Sequence, residues 1–80
     1  MKTCRWEKIV DFQSLVEFNR FVDWMNEQVR SGLAEEVPVR TPYIGATAFR
    51  EKWFRHLEAE ETWRLVWPDP PFTGVFEKVV

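Results

Sequence analysis

The stretch from Glu51 to Pro68, EKWFRHLEAEETWRLVWP, holds two runs in which apolar and charged residues alternate, separated by an acidic segment and closed by a proline. A period of two places successive side chains on opposite faces of an extended chain, so each run predicts a strand and the pair predicts an antiparallel hairpin. Pro68 has no amide hydrogen to give and ends the second strand. A helix can also be drawn through TAFREKWFRHLEAEE. The alternation of Trp53 and Leu57 with charged neighbours, repeated in TWRLVW, favours a strand drawn from Ala46 to Leu57.

Parity decides what such a hairpin buries. The residues taken as inward-facing are Trp53 and Leu57 on the first strand and Trp63, Leu65 and Trp67 on the second, all odd-numbered. Directly opposed residues share a face, so a loop with an odd residue count is expected. Ala59–Glu61 meets that condition, with Glu58 opposite Thr62, Leu57 against Trp63 and Trp53 against Trp67. An even count would set Arg55 against Arg64 on the core side. The opposite face then carries Lys52, Phe54, His56, Thr62, Arg64 and Val66.

Upstream, Leu15, Phe18, Val22, Met25 and Val29 recur at helical spacing, widened by Phe21 and Trp24, with charges on the remaining positions. This is an amphipathic helix facing a core. It begins between Asp11, a candidate N-cap, and Leu15, because SLVE repeats the capping-box spacing one turn later. RSG ends it, with Gly32 free to adopt the left-handed conformation. Thr3 to Val10 reads as a strand, and Val75 to Val79 as a last one. Pro38 and Pro42 make LAEEVPVRTPYIG an extended crossing connection with a short edge strand at Glu36–Val39. Trp67–Pro68 and Pro70–Pro71 are expected trans, as most such bonds are. The predicted class is α+β: one long amphipathic helix packed on a three- to four-stranded antiparallel sheet with a central hairpin.

At 80 residues the chain is one small domain, residues 1–80, and it must choose bulky core residues to offset chain entropy. Five Trp, seven Phe and one Tyr meet that need, and part of this aromatic area is available for a partner. The formal charge of −2 argues against sequence-independent binding to nucleic acid, which requires a basic face. The single cysteine, Cys4, cannot form an internal disulfide, and nothing near it in sequence lowers its pKa. No apolar run reaches the ~20 residues of a membrane span, nor does the N-terminus carry a signal-peptide core. A soluble, cytoplasmic protein is expected.

Few residues suggest chemistry. His56 is the sole histidine. It would share a strand face with Glu58 and Glu60, but the expected turn breaks that alternation, and no metal site or catalytic set is predicted. Gly32, Gly45 and Gly74 lie too far apart for a phosphate loop, so no cofactor is expected. A Cys4–His56 pair has no motif behind it. An enzyme built from scattered carboxylates near His56 is the third-ranked reading. The leading one is a non-catalytic domain that binds another protein through PYIG and the proline loop, with Tyr43, Asp69 and Phe72 as a rigid aromatic and polar edge. Phe72 either tucks under the sheet or projects as an anchor, and tucking is preferred because an exposed Phe in so small a domain invites aggregation. The alternative is a nucleic-acid-binding sheet with Lys52, Phe54 and Arg64 as the contact set. The neighbouring Glu58, Glu60 and Glu61 oppose it by repelling phosphate.

The segment EKWFRHLEAEETWRLVWPDPPFTGVFEKV is similar to short bacterial proteins sharing a W-R-L-V-x-P-D-x-P-F-x-G signature. Here the signature is Trp63, Arg64, Leu65, Val66, Pro68, Asp69, Pro71, Phe72 and Gly74. The resemblance covers less than half of the chain. It implies a small self-contained domain and no particular activity. Size and acidic balance also parallel antitoxin-like and immunity-like protein partners, an analogy of charge rather than of motif.

Overall fold

The computed structural model describes residues 6–43 and 49–79. They form α1 (Leu15–Arg30), β1 (Ala34–Val37), β2 (Glu51–His56), β3 (Glu61–Val66) and β4 (Val75–Lys78). The strands lie in the order β1-β2-β3-β4, each antiparallel to its neighbour, and α1 packs across one face. The α+β class, the single packed helix and the central hairpin agree with the sequence.

Ser14 sets the start of α1. Its backbone is extended, and its side chain accepts the Glu17 amide at 3.1 Å, as the S-x-x-E spacing predicts. Asp11 caps nothing; its carboxylate accepts the Gln13 side-chain amide instead. At the other end Gly32 has φ +82°, while its amide donates to the Val29 carbonyl and that of Leu33 to the Gln28 carbonyl. Those two bonds are the paired closure of a helix C-terminus, and the left-handed residue they need is why a glycine stands there.

The stripe that α1 buries is narrower than the spacing suggests. Phe18 and Met25, about 20° apart around the helix, are fully buried, and Phe21 and Val22 flank them. Leu15 and Val29 were expected inside. Leu15 is 65% exposed and Val29 36%. Both sit in end turns, and the buried centre is rotated from them toward Phe21.

The hairpin corrects the expected register. Phe54 opposes Trp63, Lys52 opposes Leu65 and Trp53 opposes Arg64, so even pairs with odd. The turn Leu57–Glu60 has four residues, with Glu60 left-handed at φ 55°. Leu57, expected in the core, lies in that turn and is exposed. The inference failed because it assumed one buried face. Trp53 and Phe54, adjacent in sequence, are 4% and 3% exposed on opposite faces. Arg55 therefore opposes Thr62, and the feared Arg55–Arg64 pair does not arise.

Phe54, Trp63, Leu65 and Phe76 share the helix-covered face and pack with Phe18, Met25, Trp6 and Phe12. Trp63 and Phe76 stack at 4.9 Å between ring centroids, and Trp6 and Trp63 meet edge to face at 6.0 Å. Each such burial contributes roughly 1.5–3 kcal/mol. The N-terminal strand expected over Thr3–Val10 reduces to one bridge. Ile9 exchanges both backbone hydrogen bonds with Phe76, Trp6–Lys8 are not in a strand, and Thr3–Arg5 fall outside the described residues. The edge strand expected at Glu36–Val39 is β1, two residues earlier. Of the strand expected over 46–57, residues 46–48 lie outside the described set, and among the described residues it runs over Glu51–His56. The last strand ends at Lys78 rather than Val79.

Candidate functional site

On the face away from α1, Arg64 lies between two carboxylates. Its Nε is 3.7 Å from Glu51 Oε2 and 3.8 Å from Glu77 Oε2, and the side chains of Arg64 and Glu51 are 14% and 5% exposed. Arg64 Nε is buried without a hydrogen-bond partner. Its guanidinium carbon sits 5.7 Å from the Tyr43 ring centroid and 5.5 Å from that of Trp53, so two carboxylates and two ring faces supply the negative potential that replaces water. Glu51 also accepts the Tyr43 amide at 2.7 Å and the Trp53 indole N–H at 2.6 Å. One carboxylate thus ties the segment before β2 to the sheet beneath it.

Tyr43 passes this anchoring on to the proline loop. Its ring centroid is 5.7 Å from that of Phe72, and Phe49 is 4.7 Å from Phe72, making a three-ring cluster. Phe72 is half-buried against these rings. In the loop, Asp69 and Phe72 exchange both backbone hydrogen bonds at 3.0 and 2.9 Å, closing a tight turn around Pro70 and Pro71. The Pro70–Pro71 bond is cis, not trans as expected from frequencies alone. Gly74 follows with φ +88°, and a Cβ there would lie 3.1 Å from the Val66 carbonyl oxygen and 3.2 Å from the Phe12 ring. Only glycine permits that close return to β4.

Between this turn and the chain leading into α1 runs a groove of about 400 Å³. Phe12, Leu15, Pro68, Pro70, Pro71 and Phe72 give it apolar walls, and Gln13, Ser14 and Thr73 complete the lining. Its walls are stiff: fixed proline φ angles and the doubly bonded turn on one side, the capped helix start on the other. The volume lies at the lower end of ligand-sized clefts.

Of the residues expected to bind protein, the structure brings Tyr43 and Phe72 into contact and sets Asp69, exposed, at the base of the same turn. Ile44 and Gly45 of the PYIG segment lie outside the described residues. The proposed nucleic-acid set is split: Phe54 is buried beneath α1, Lys52 shares its face and pairs with Glu36, and Arg64 is held on the other side by Glu51 and Glu77. The single mixed basic and aromatic face expected from the sequence is therefore corrected. His56 accepts the Ala59 amide through Nδ1 at 3.1 Å, and its ring makes a T-shaped pair with Trp6 at 4.9 Å between centroids. Among the described residues no group of three or more His, Cys, Asp and Glu is placed to hold a metal ion. Nor is any of their helices long and apolar enough to cross a membrane.

Sequence reasoning missed Phe12, Leu15, Phe49 and Glu51 as parts of this region. The signal for Leu15 was available in Ser14: once SLVE fixes the cap, Leu15 is the first helical residue, with no preceding turn to cover it. No family model, curated protein or solved structure matches the chain.

Proposed function

We propose that this chain is a non-catalytic binding domain that seats a short segment of another protein in the groove between the proline turn and the start of α1. The observation that carries this reading is the combination of apolar walls with rigid construction, beside a Leu15 that is 65% exposed. A preorganised groove orders few of its own side chains on binding, so a modest apolar contact is not offset by lost entropy. Phe72 and the prolines form one wall, the Phe72 ring packs with those of Tyr43 and Phe49, and Asp69 closes the turn that carries the prolines.

Selection of a displayed random-peptide library against the folded protein tests this. Enriched peptides should bind the parent protein and lose most of their affinity for Leu15→Glu. That substitution is on the surface, and circular dichroism should confirm an intact fold. Failure to enrich any peptide, or peptides that bind Leu15→Glu equally well, would contradict the groove as the contact surface.

A further inference from the structure

The sheet holds a second concavity on the face that α1 leaves open, and we infer that it binds a small aromatic carboxylate, with the ring system over the sheet and the carboxylate on Arg40. The trough is about 390 Å³ and is lined by Val37, Pro38, Arg40, Trp53, Thr62 and Val79. It shares no residue with the groove at the start of α1. Val37 opposes Trp53, and Thr62 opposes Arg55, two positions on from Trp53 in β2. The Val79 amide donates to the Thr62 carbonyl at 2.8 Å, continuing the β3–β4 ladder. Opposed residues and residues two apart share a face, so the trough runs across the sheet from β1 to the end of β4 on the side of Trp53.

Among the described residues, Arg40 is the only charged residue in that lining. Arg50 lies over the Trp67 ring, Arg55 faces Glu60, and Arg64 is held by Glu51 and Glu77. The Arg40 side chain has no ion pair, hydrogen bond or ring contact among the described residues. A free guanidinium presents a fork of donors that matches a planar carboxylate. Val37, Pro38, Trp53 and Val79 supply the apolar surface on which a ring gains by leaving water, and the Thr62 hydroxyl adds one polar group. The volume, at the lower end of ligand-sized clefts, takes a ring system with one acid group. Charge selects a monoanion over phosphate. Glu35 is exposed on the same face, opposite Arg55. One free cation on a face that also carries Glu35 balances a single negative charge, and a phosphate dianion would add a second.

Titration of isotopically labelled protein with 2-naphthoate, its uncharged counterpart 2-naphthamide, and acetate tests this through amide chemical shifts. 2-Naphthoate should give saturable shifts centred on Val37, Arg40, Thr62 and Val79, with Gln13–Leu15 unmoved. 2-Naphthamide should bind roughly threefold to tenfold more weakly, with the ratio shrinking as salt rises. Acetate, which has no ring to seat, should give no saturable shift. Arg40→Gln should lower 2-naphthoate to the affinity of 2-naphthamide and leave 2-naphthamide unchanged. Arg40 is exposed, so the variant should fold as the parent does, which circular dichroism checks. Equal affinity for the acid and the amide, or full 2-naphthoate affinity in Arg40→Gln, would overturn the assignment of the carboxylate to Arg40. Displacement of 2-naphthoate by an equal concentration of inorganic phosphate would overturn the choice of a monoanion. Saturable shifts centred on Gln13–Leu15 and Phe72–Thr73 instead, or none at all, would overturn the site itself.

Discussion

Trp53 and Phe54 are neighbours in β2 and almost equally buried, yet they are covered by different means. Phe54 faces α1 within a set of apolar and aromatic side chains that includes Phe18, Met25, Trp63 and Phe76. Trp53 faces the other way, its indole N–H held by Glu51 and its ring beside Arg64. On the first face, burial follows from removing apolar area from water and needs no particular pairing. On the second, it depends on one carboxylate accepting two donors and facing a guanidinium. The lesson is that a thin domain can bury both faces of its sheet with a single helix, provided the second face is closed by a short segment tied down at a few polar points. Phe72 sits where the two covers meet, touching Tyr43 and Phe49 on one side and lining the groove with Phe12 on the other.

Truncation on the helix side should have the largest effect. Trp63→Ala is expected to lose about 3–5 kcal/mol in urea unfolding, as for other buried aromatics. A loss under about 1 kcal/mol would put it in the range of ordinary substitutions and deny that this face is the main core. On the charged face, Glu51→Ala should cost about 3 kcal/mol, since it leaves Arg64 facing only Glu77 and orphans two donors. Adding Arg64→Met to that variant should recover part of the loss, because the uncompensated charge leaves with the arginine. If the double variant is less stable than Glu51→Ala alone, the charge cluster is not what makes this face conditional.

Smaller effects sharpen the same contrast. Gly74→Ala should cost about 1–3 kcal/mol through its positive φ and its approach to the Val66 carbonyl, at the point where the proline loop rejoins the sheet. Ser14→Ala should cost about 1 kcal/mol in thermal unfolding by removing the cap of α1. Leu15→Glu, beside that cap but exposed, should change stability by less than about 0.5 kcal/mol. Were it as costly as Ser14→Ala, Leu15 would belong to the core and the groove would be shallower than described.

The elements with a strong local signal were readable from sequence. SLVE and RSG bracket α1 correctly because caps are local chemistry, and the alternation of TWRLVW marks β3 because Trp63 and Leu65 do share the helix-facing side. The register of the hairpin was not readable. KWFRH places apolar residues on both faces, and parity alone cannot choose between them until the cover of the second face is known. Part of that cover comes from Tyr43, which meets Arg64 and is held by Glu51, and which is distant in sequence from β3 and has no periodicity of its own. Tyr43, Asp69 and Phe72 were singled out for their loop chemistry, and the structure places them around one turn. The groove itself was invisible because it is formed by two segments more than fifty residues apart, Phe12–Leu15 and Pro68–Thr73.

The most direct test of the account is amide chemical-shift mapping of the folded protein with a library-selected peptide. The groove reading predicts that perturbed amides cluster at Gln13–Leu15 and Phe72–Thr73, with β2 and β3 little changed near their turn. Perturbations centred on Lys52, Arg55 and Thr62, with the groove amides unmoved, would contradict it and place the contact surface on the hairpin.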